Sequence, residues 1–485
     1  MTDTKTIAYE PVIGLEIHVQ LDTKSKLFCS CPSGTQDRPN TAICPICTGQ
    51  PGVLPVLNRA AVESAMKAAM SLNCRLNPRS VFARKNYFYP DCPKDYQISQ
   101  YELPLAEHGS VTVELDGENG IEEHKIGITR VHMEEDAGKL MHEEDGSLVD
   151  FNRSGVALVE IVSEPDMRSP MEAYEYLTTL KNTLQWAGVS SCDMEKGELR
   201  VDVNLSLRPK GAEKFGTKVE IKNLNSFKAV KDSLTYEIGR QAAALDAGET
   251  IHQETRLWDD KAGSTTVMRS KEKAHDYRYF PEPDLVPLAP SQEWRKAVAD
   301  ALPELPSARK KRFIKDYQLS AYDAGVMTSQ KSVADYFETA MKHAAGSAKT
   351  VVNLISNDIM ARLNAEKKDI SAAPVLPANL GKLVVLMGKG TVSSKMAKDI
   401  VDAMWKTGKS AEEIVASSGM AQVNDEAQIA AWAREAIAAN PKAAADLRAG
   451  NDKAAGPLVG FVMKKSRGKA NPALLNGIIK KVAME

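Results

Sequence analysis

The stretch VIGLEIHVQL, residues 12–21, alternates cleanly. Leu15, Ile17, Val19 and Leu21 fall on one side of an extended chain, Glu16, His18 and Gln20 on the other. A carboxylate beside an imidazole on the second face either meets water or lines a metal site, and the stretch alone leaves both open. It has company. RVHMEEDAG (130–138) brings His132, Glu134, Glu135 and Asp136. Glu160 is the one charge in GVALVEIVS (155–163), which reads as a buried central strand. Asp202 lies on the polar face of LRVDVNLSLR (199–208), and Glu220 lies in KVEIK (218–222). A single strand carboxylate is usually solvated. Glu160 is different, because an unpaired charge inside an apolar strand costs at least ~3 kcal/mol. It predicts a partner or a cation. Several acids on facing strands repel one another unless a cation lies between them, and carboxylate oxygens with one imidazole suit Mg²⁺ or Mn²⁺. The alternation does not decide which of Glu134 and Glu135 faces inward.

A second set is made of sulfur. Cys29 and Cys31 sit in CSC, Cys44 and Cys47 in CPIC. Two close pairs joined by a short loop can converge on one tetrahedral Zn²⁺. Four thiolates leave no open position, so the role would be structural. The plainer alternative is four unrelated buried cysteines. Cys74, Cys92 and Cys192 are scattered and read as free thiols.

Acids that gather cations in an enzyme commonly hold nucleotide phosphates, yet no glycine loop is present to cradle them. Gly408-Lys409-Ser410 ends like a P-loop, but Ala403 stands where its first glycine belongs, and no GxGxxG follows a strand. A bound nucleotide would therefore lie on an open sheet and be held through metal ions. RKNYFYPDCPKDYQISQY (84–101) interleaves Tyr87, Phe88, Tyr89, Tyr96 and Tyr101 with Arg84, Lys85 and Lys94. Such a segment can stack bases and hold phosphates, or it can be an ordinary aromatic loop over the sheet.

The elements that must position these residues divide near residue 290. Before it strands dominate, with helices inserted from 58 (Val62, Ala65, Met66, Ala69 and Met70 at helical spacing) and from Ser169, where Pro170 and Glu172 form a capping box and Gly188 ends the helix. PEPDLVPLAP (281–290) is too rich in proline for a helix and reads as a linker or cover. Beyond it the chain is helical and alanine-rich, as in MAKDIVDAMWKTG (396–408). The 485 residues, 43% hydrophobic and 26% charged, suit a globular protein of several domains, and a formal charge of -2 confines any nucleic-acid contact to a local basic patch. The N-terminus lacks the basic and apolar regions of a signal peptide, and no apolar run approaches the ~20 residues of a membrane span. Both predict a cytoplasmic protein.

In order along the chain, VIGLEIHVQL, ARKNYFYPDCPKDYQISQYELPL, RVHMEEDAGK, DFNRSGVALVEIVSEPDMRSP and GELRVDVNLSLRP…GTKVEIKNLNSF together resemble the GatB family, the B subunits of aspartyl/glutamyl-tRNA(Asn/Gln) amidotransferases. The resemblance spans nearly the whole chain. It implies an α+β fold: a mainly antiparallel, glutamine synthetase-like cradle over 1–290 with a zinc knot at 29–47, an all-α domain over 291–405, and a YqeY-like tail over 406–485. It implies a subunit that binds misacylated Glu-tRNA(Gln) or Asp-tRNA(Asn) and phosphorylates the side-chain carboxylate with ATP and Mg²⁺. Ammonia would come from a partner amidase subunit, and a small third subunit would clamp the two.

Carried onto this chain, the resemblance makes Glu16, His18, Glu134, Glu135, Glu160, Asp202 and Glu220 the catalytic set, with Mg²⁺ held by Glu16, His18, Glu135, Glu160, Asp202 and Glu220. Lys85, Asn86, Tyr87, Lys222 and Asn223 become candidates for phosphate or aminoacyl-end contacts. Cys29, Cys31, Cys44 and Cys47 match the family's structural zinc knot. No acidic residue lies between Asp452 and Glu485, and Lys464, Lys465, Arg467 and Lys469 in that window become the tRNA handle. The chain carries no glycine- and serine-rich amidase signature, and Ser393-Ser394-Lys395 reads as a helix cap. Two rivals are a glutamine synthetase-like ligase acting on a free amino acid and a zinc-stabilised RNA-binding scaffold. The basic tail argues against the first and the isolated Glu160 against the second.

Overall fold

The computed structural model of the chain describes residues 8–34, 36–117, 120–270, 277–345, 347–418, 425–466 and 469–485. It divides into two compact units, Met1–Leu305 and Pro306–Glu485.

The first unit holds strands β1 (Tyr9–Gln20), β2 (Arg75–Leu76), β3 (Phe82–Asn86), β4 (Tyr96–Gln100), β5 (Ala106–Gly117), β6 (Gly120–Glu135), β7 (Lys139–Glu143), β8 (Gly146–Asp150), β9 (Ala157–Ser163), β10 (Leu199–Pro209), β11 (Val219–Lys222), β12 (Glu254–Asp259), β13 (Ser264–Ser270) and β14 (Phe280–Pro281). Among the described residues, nine of them join one sheet in the order β13-β12-β11-β10-β1-β9-β6-β5-β2. Its pairings are antiparallel except for β11 with β12. A small sheet β14-β3-β4 and a hairpin of β7 and β8 stand apart from it.

Alternation gives the large sheet two different faces. Ile13, Leu15, Ile17 and Val19 of β1 are buried with Val201, Val203 and Leu205 of β10. They share one core with the apolar stripes of helices α1 (Arg59–Ser71), α2 (Pro170–Trp186) and α3 (Phe227–Asp246), among them Met66, Leu177, Leu180 and Leu234. Each fully buried aliphatic side chain contributes roughly 1.5–3 kcal/mol, so this face fixes the register of the sheet. The opposite face is free to carry the acids.

The helix starts follow their sequence signals. At α2 the Glu172 amide donates to Ser169 Oγ at 3.1 Å, the Ser169 amide donates to Glu172 Oε2 at 3.0 Å, and Pro170 is the first helical residue. Asn58 caps α1 by accepting from the amides of Ala60 and Ala61.

The proline-rich segment is a cover. Pro281 pairs with Ala83 of β3, Ser80 and Leu288 exchange backbone hydrogen bonds, and buried Glu282 takes the Arg84 guanidinium at 2.7 Å. Helix α4 (Gln292–Asp300) then packs back on α1, with Trp294 Nε1 donating to Glu63 at 2.8 Å and Arg59 over the Trp294 ring. The first unit therefore runs on to Leu305, past the change of composition at 290.

The second unit is helical among the described residues. Helix Ser394–Thr407 starts at its cap Ser393, which accepts from the Met396 amide, ends at Gly408 in the left-handed region (φ 69°), and buries Ala397, Ile400, Val401 and Met404. Helices Glu426–Ala439, Pro441–Arg448, Ala455–Lys465 and Pro472–Met484 close on a core of their own, with Ile429, Leu447, Leu458, Val462, Leu475 and Ile479. A large, mostly antiparallel sheet domain followed by a helical region is the α+β layout expected from the sequence. No helix among the described residues is long and apolar enough to cross a membrane.

Candidate functional site

The sheet order sets β1 between β10 and β9, with β6 beyond β9. Register then lines up side chains that are far apart in sequence. His18 lies opposite Arg200 on one side and Glu160 on the other, and Glu160 lies opposite His132. One step along the polar face, Glu16 lies opposite Asp202. Glu220 of β11 faces Asn204 of β10.

Two groups of ligating atoms result. His18, Glu134 and Glu160 each offer an atom within 4.8 Å of the others, and so do Glu16, Asp202 and Glu220. In the first group His18 Nε2 is 3.4 Å from Glu134 Oε1 and 3.5 Å from Glu160 Oε2, and His132 Nε2 is 3.2 Å from the same Glu160 oxygen. Burial works upward on the Glu160 carboxyl, but the two imidazoles hold it well below the usual carboxylate range. Burial works downward on His18, and the Glu160 and Glu134 carboxylates overcome it, raising the imidazole to about 9. Glu134 Oε2 is buried and has no hydrogen-bond partner, an acceptor that a cation would satisfy. One imidazole and two carboxylates around an orphaned oxygen fit a hard divalent ion. In the second group Asn204 Nδ2 donates to Glu16 at 2.9 Å, and Thr255 Oγ1 donates to Glu220 at 2.8 Å. Lys222 pairs with Asp202 and reaches Glu220 at 3.2 Å. Two of the three carboxylates thus share one ammonium, and the third, Glu16, takes an amide.

The remaining candidates divide. Lys85 belongs with the first group. Burial works downward on its ammonium, and the Glu134 and Glu160 carboxylates raise it in spite of that. Lys222 belongs with the second. Glu135, expected as a possible ligand, is not brought to either group. Its carboxylate takes Lys94 and the Ile98 amide (2.8 Å) on the other side of the strand, so Glu134 is the inward-facing member of the pair. Asn86 spends its side chain on the Tyr277 and Arg278 carbonyls at 3.1 and 2.8 Å. Asn223, in the left-handed region (φ 66°), donates to the Trp258 carbonyl at 3.0 Å. Both asparagines hold backbone. Tyr87 is exposed and stacks on Tyr89.

Arg200 joins the site without a signal in the sequence, and His132, named with the acids of its segment but not among the ligands, takes Glu160. Arg200 also takes Asp136 at 2.9 Å, which fixes its guanidinium beside the row. Their positions on polar strand faces were visible, but their neighbours depend on the non-consecutive strand order.

The cysteines converge as their spacing predicts. Cys29, Cys31, Cys44 and Cys47 bring their sulfurs within 4.8 Å of one another. A zinc tetrathiolate needs sulfurs about 3.8 Å apart for bonds of about 2.3 Å, so the set fits a tetrahedral ion. Lys26, wholly buried, points its ammonium at Cys47 Sγ (3.5 Å) and the Ala42 carbonyl (2.8 Å). A hydrogen bond from the Cys29 thiol, then the Cys44 amide and the Lys26 charge, hold Cys47 well below the ordinary thiol range despite its burial. The knot also touches the acidic half of the sheet. Ser154 Oγ donates to the Cys47 carbonyl at 3.1 Å, and the Leu27 amide donates to the Gly155 carbonyl at 2.9 Å. Gly155 has φ 83°, and a Cβ there would come within 3.3 Å of Cys47 Cβ.

In the second unit Lys464 and Lys465 are exposed in the last turn of helix Ala455–Lys465, where basic groups also suit the helix dipole. Lys465 pairs with Glu435, and Lys469 is half-buried. Arg467 lies outside the described residues.

Comparison with known proteins agrees with this layout. Residues 11–296 match the GatB/GatE catalytic domain and residues 335–482 the GatB domain. The chain is 55% identical to the B subunit of the aspartyl/glutamyl-tRNA(Asn/Gln) amidotransferase of Elusimicrobium minutum, over 98% of this chain and 99% of that one. It is 52% identical to the protein of the same name from Moorella thermoacetica (97% and 99% covered) and 50% to that from Carboxydothermus hydrogenoformans (97% and 98%).

Proposed function

The chain belongs to the GatB family, and on that footing we propose that it is the subunit of a tRNA-dependent amidotransferase that activates the carboxylate of Glu-tRNA(Gln), Asp-tRNA(Asn) or both. The observation that carries this reading is the convergence of two acidic groups, with Lys85 and Lys222, on the one polar face of the sheet. A carboxylate does not accept ammonia, because oxide is too poor a leaving group. One carboxylate oxygen attacks the γ-phosphorus of ATP, ADP departs, and the acyl phosphate formed loses phosphate when ammonia adds. Such a transfer is mainly positioning and charge neutralisation.

His18, Glu134 and Glu160 would hold one Mg²⁺, and Glu16, Asp202 and Glu220 a second, with Lys222 displaced toward phosphate. Bound there, the ions supply positive charge to the transferring phosphoryl group. The chain's own residues do the rest. Lys85 offers its ammonium to a phosphoryl or carboxylate oxygen, Arg200 holds its charge beside the row through Asp136, and His132 orients Glu160. A cleft of about 330 Å³ beside Glu16, lined by Gly14, Asn204, Ser206, Phe215 and Lys218, has room for the base and ribose of the nucleotide. The four cysteines would hold a structural Zn²⁺. Ammonia would arrive from an amidase subunit, and a small third subunit would join the two. The second unit would divide into middle helices and the tRNA-binding tail.

ADP release tests the reading. The chain, co-expressed with its amidase and small subunits, is given ATP and Mg²⁺ with Glu-tRNA(Gln), Asp-tRNA(Asn), uncharged tRNA or free glutamate. Release that requires a misacylated tRNA supports it and names the substrate. Release driven by free glutamate would replace it with a ligase of small substrates.

Two further outcomes are expected. A divalent ion must displace the proton that His18 holds up to about 9, so Mn²⁺ affinity at this group should rise with pH, roughly tenfold per unit from pH 7 to that value. Titration calorimetry in buffers of different ionisation heat would show about one proton released per ion. A pH-independent affinity would remove His18 from the ligand set. Replacing Lys464 and Arg467 together by Ala should weaken tRNA binding and flatten the slope of log K against log salt by about 1–2, with Mn²⁺ affinity unchanged.

A further inference from the structure

The two acidic groups differ in the cations they already own. In the second, the Lys222 ammonium pairs with Asp202 and lies 3.2 Å from Glu220 Oε1. In the first, no lysine or arginine among the described residues is in contact with Glu134 or Glu160, whose partners there are His18 and His132. The chain therefore places a positive side chain inside one group and not inside the other.

Strand geometry sets that ammonium where it is. Glu220 and Lys222 lie two apart in β11 and share a face, and β11 pairs with β10, the strand of Asp202. The backbone around Lys222 is pinned. Lys222 pairs with Leu257 of β12, and the next side chain, Asn223, donates to the Trp258 carbonyl at 3.0 Å. What is left to move is the four-carbon stem, which is flexible. The Lys222 side chain is 30% exposed, so it can swing out toward water without disturbing the strand. The group also offers more oxygen than one ammonium uses. Glu16 takes an amide hydrogen from Asn204, and the other atom of that amide, Asn204 Oδ1, is buried and has no hydrogen-bond partner.

An ammonium and a divalent ion cannot both lie against the same two carboxylates. Mg²⁺ takes oxygens at about 2.0–2.1 Å, and like charges held that close repel. A tethered competitor also keeps a local concentration of the order of millimolar however dilute the protein. The ion enters when the ammonium leaves, and the ammonium leaves when it has another anion to meet. A nucleotide brings both requirements together, since its phosphate oxygens carry an ion and accept the ammonium.

We infer that Lys222 is the resident cation of the second group and makes ion binding there conditional on the nucleotide. The first group takes its ion alone. The second takes its ion when a triphosphate draws Lys222 away from Asp202 and Glu220. The inference rests on the proposed function and adds an order of loading to it. It also gives a return step: once the phosphates depart, the ammonium goes back between the two carboxylates and expels the ion.

The test counts Mn²⁺ bound per chain in the assembled amidotransferase by equilibrium dialysis, with and without a non-hydrolysable ATP analogue. At Mn²⁺ concentrations that fill the first group, wild type should hold one ion without the analogue and two with it. Lys222→Met and Lys222→Gln should each hold two without it, the second bound about tenfold or more tighter than in wild type. Lys222→Arg keeps the charge and should stay at one. Two ions in wild type without the analogue, with the second affinity unchanged in the Met and Gln variants, would overturn the inference. If tRNA-dependent ADP release persists, the proposed function would still stand. Weaker binding of the second ion in the Met and Gln variants would also overturn the inference, because the ammonium would then be holding the group together. No Mn²⁺ at either group with or without the analogue, and no ADP release by wild type, would overturn the proposed function as well.

Discussion

Glu160→Gln should give a folded chain that still binds tRNA, while tRNA-dependent ADP release falls ~100-fold or more, as expected when a ligand that orients a catalytic ion is lost. The substitution keeps the shape of the side chain and removes its charge. Glu160 sits between His18 at 3.5 Å and His132 at 3.2 Å, and with Glu134 it raises the His18 imidazole. With glutamine in place, the amide can still serve one of the two imidazoles. The cost in stability is then that of a perturbed hydrogen bond, roughly 1–3 kcal/mol. Mn²⁺ affinity, read by electron paramagnetic resonance without tRNA or ATP, should fall with the activity. Glu135→Gln is the contrasting neighbour. It removes the partner of the buried Lys94 ammonium, so it should lower stability by roughly 3–5 kcal/mol and leave Mn²⁺ affinity near wild type. Equal losses of Mn²⁺ affinity in the two variants would undo the assignment of inward and outward faces.

The second large effect concerns sulfur. Cys47→Ser should take zinc content from about one ion per chain toward zero and lower the melting temperature of the first unit by roughly 10 °C. Two losses add. One is the fourth thiolate. The other is the counter-charge of Lys26, which has no solvent exposure and would keep only the carbonyls of Ala42 (2.8 Å) and Phe151 (3.5 Å). A buried ammonium without its anion costs roughly 3–5 kcal/mol. Because the knot holds residues 154–155 just before β9, the strand of Glu160, activity should be lost at a temperature where the second unit is still helical. Zinc content by mass spectrometry of the metal and melting followed by circular dichroism would check both. A variant that lacks zinc and melts like wild type would show that the four sulfurs do not brace the sheet.

Alternation carried much of this into view. The apolar faces of β1 and β10 set their own sides, so Glu16, His18 and Asp202 could be placed on a polar face from the chain alone, and Glu160 stood out as the one charge in an apolar strand. Cysteine spacing did the same for the knot. Glu134 and Glu135 could not be separated, because both are buried where β6 ends and each has a cation or imidazole to meet. His132 was legible as company of the acids but not as the partner of Glu160, and Arg200 only as a polar-face residue. Their pairing needs the order β10-β1-β9-β6, which no local pattern encodes. Asn86 and Asn223 looked like ligand contacts and hold backbone instead, a use that depends on distant carbonyls. The first unit's end at Leu305 was hidden because composition reports helix, not which body a helix packs against.

The placement of β1 has a kinetic side. It is synthesised before every other strand of the sheet, yet it lies in the middle of it, and its bonds reach far ahead: Leu15 to Ser163 spans 148 residues and Glu16 to Asn204 spans 188. At a synthesis rate of about 5–20 residues per second, β1 waits on the order of 10–40 s for its neighbours, with its row of isoleucine, leucine and valine uncovered. Long-range pairing of this kind makes folding slow, and it exposes the nascent chain to aggregation and to chaperones. No ion can be captured early either, since each acidic group takes ligands from strands made at opposite ends of that interval. A chain interrupted before residue 199 carries His18, Glu134 and Glu160 but lacks the strand that would flank β1 on its other side.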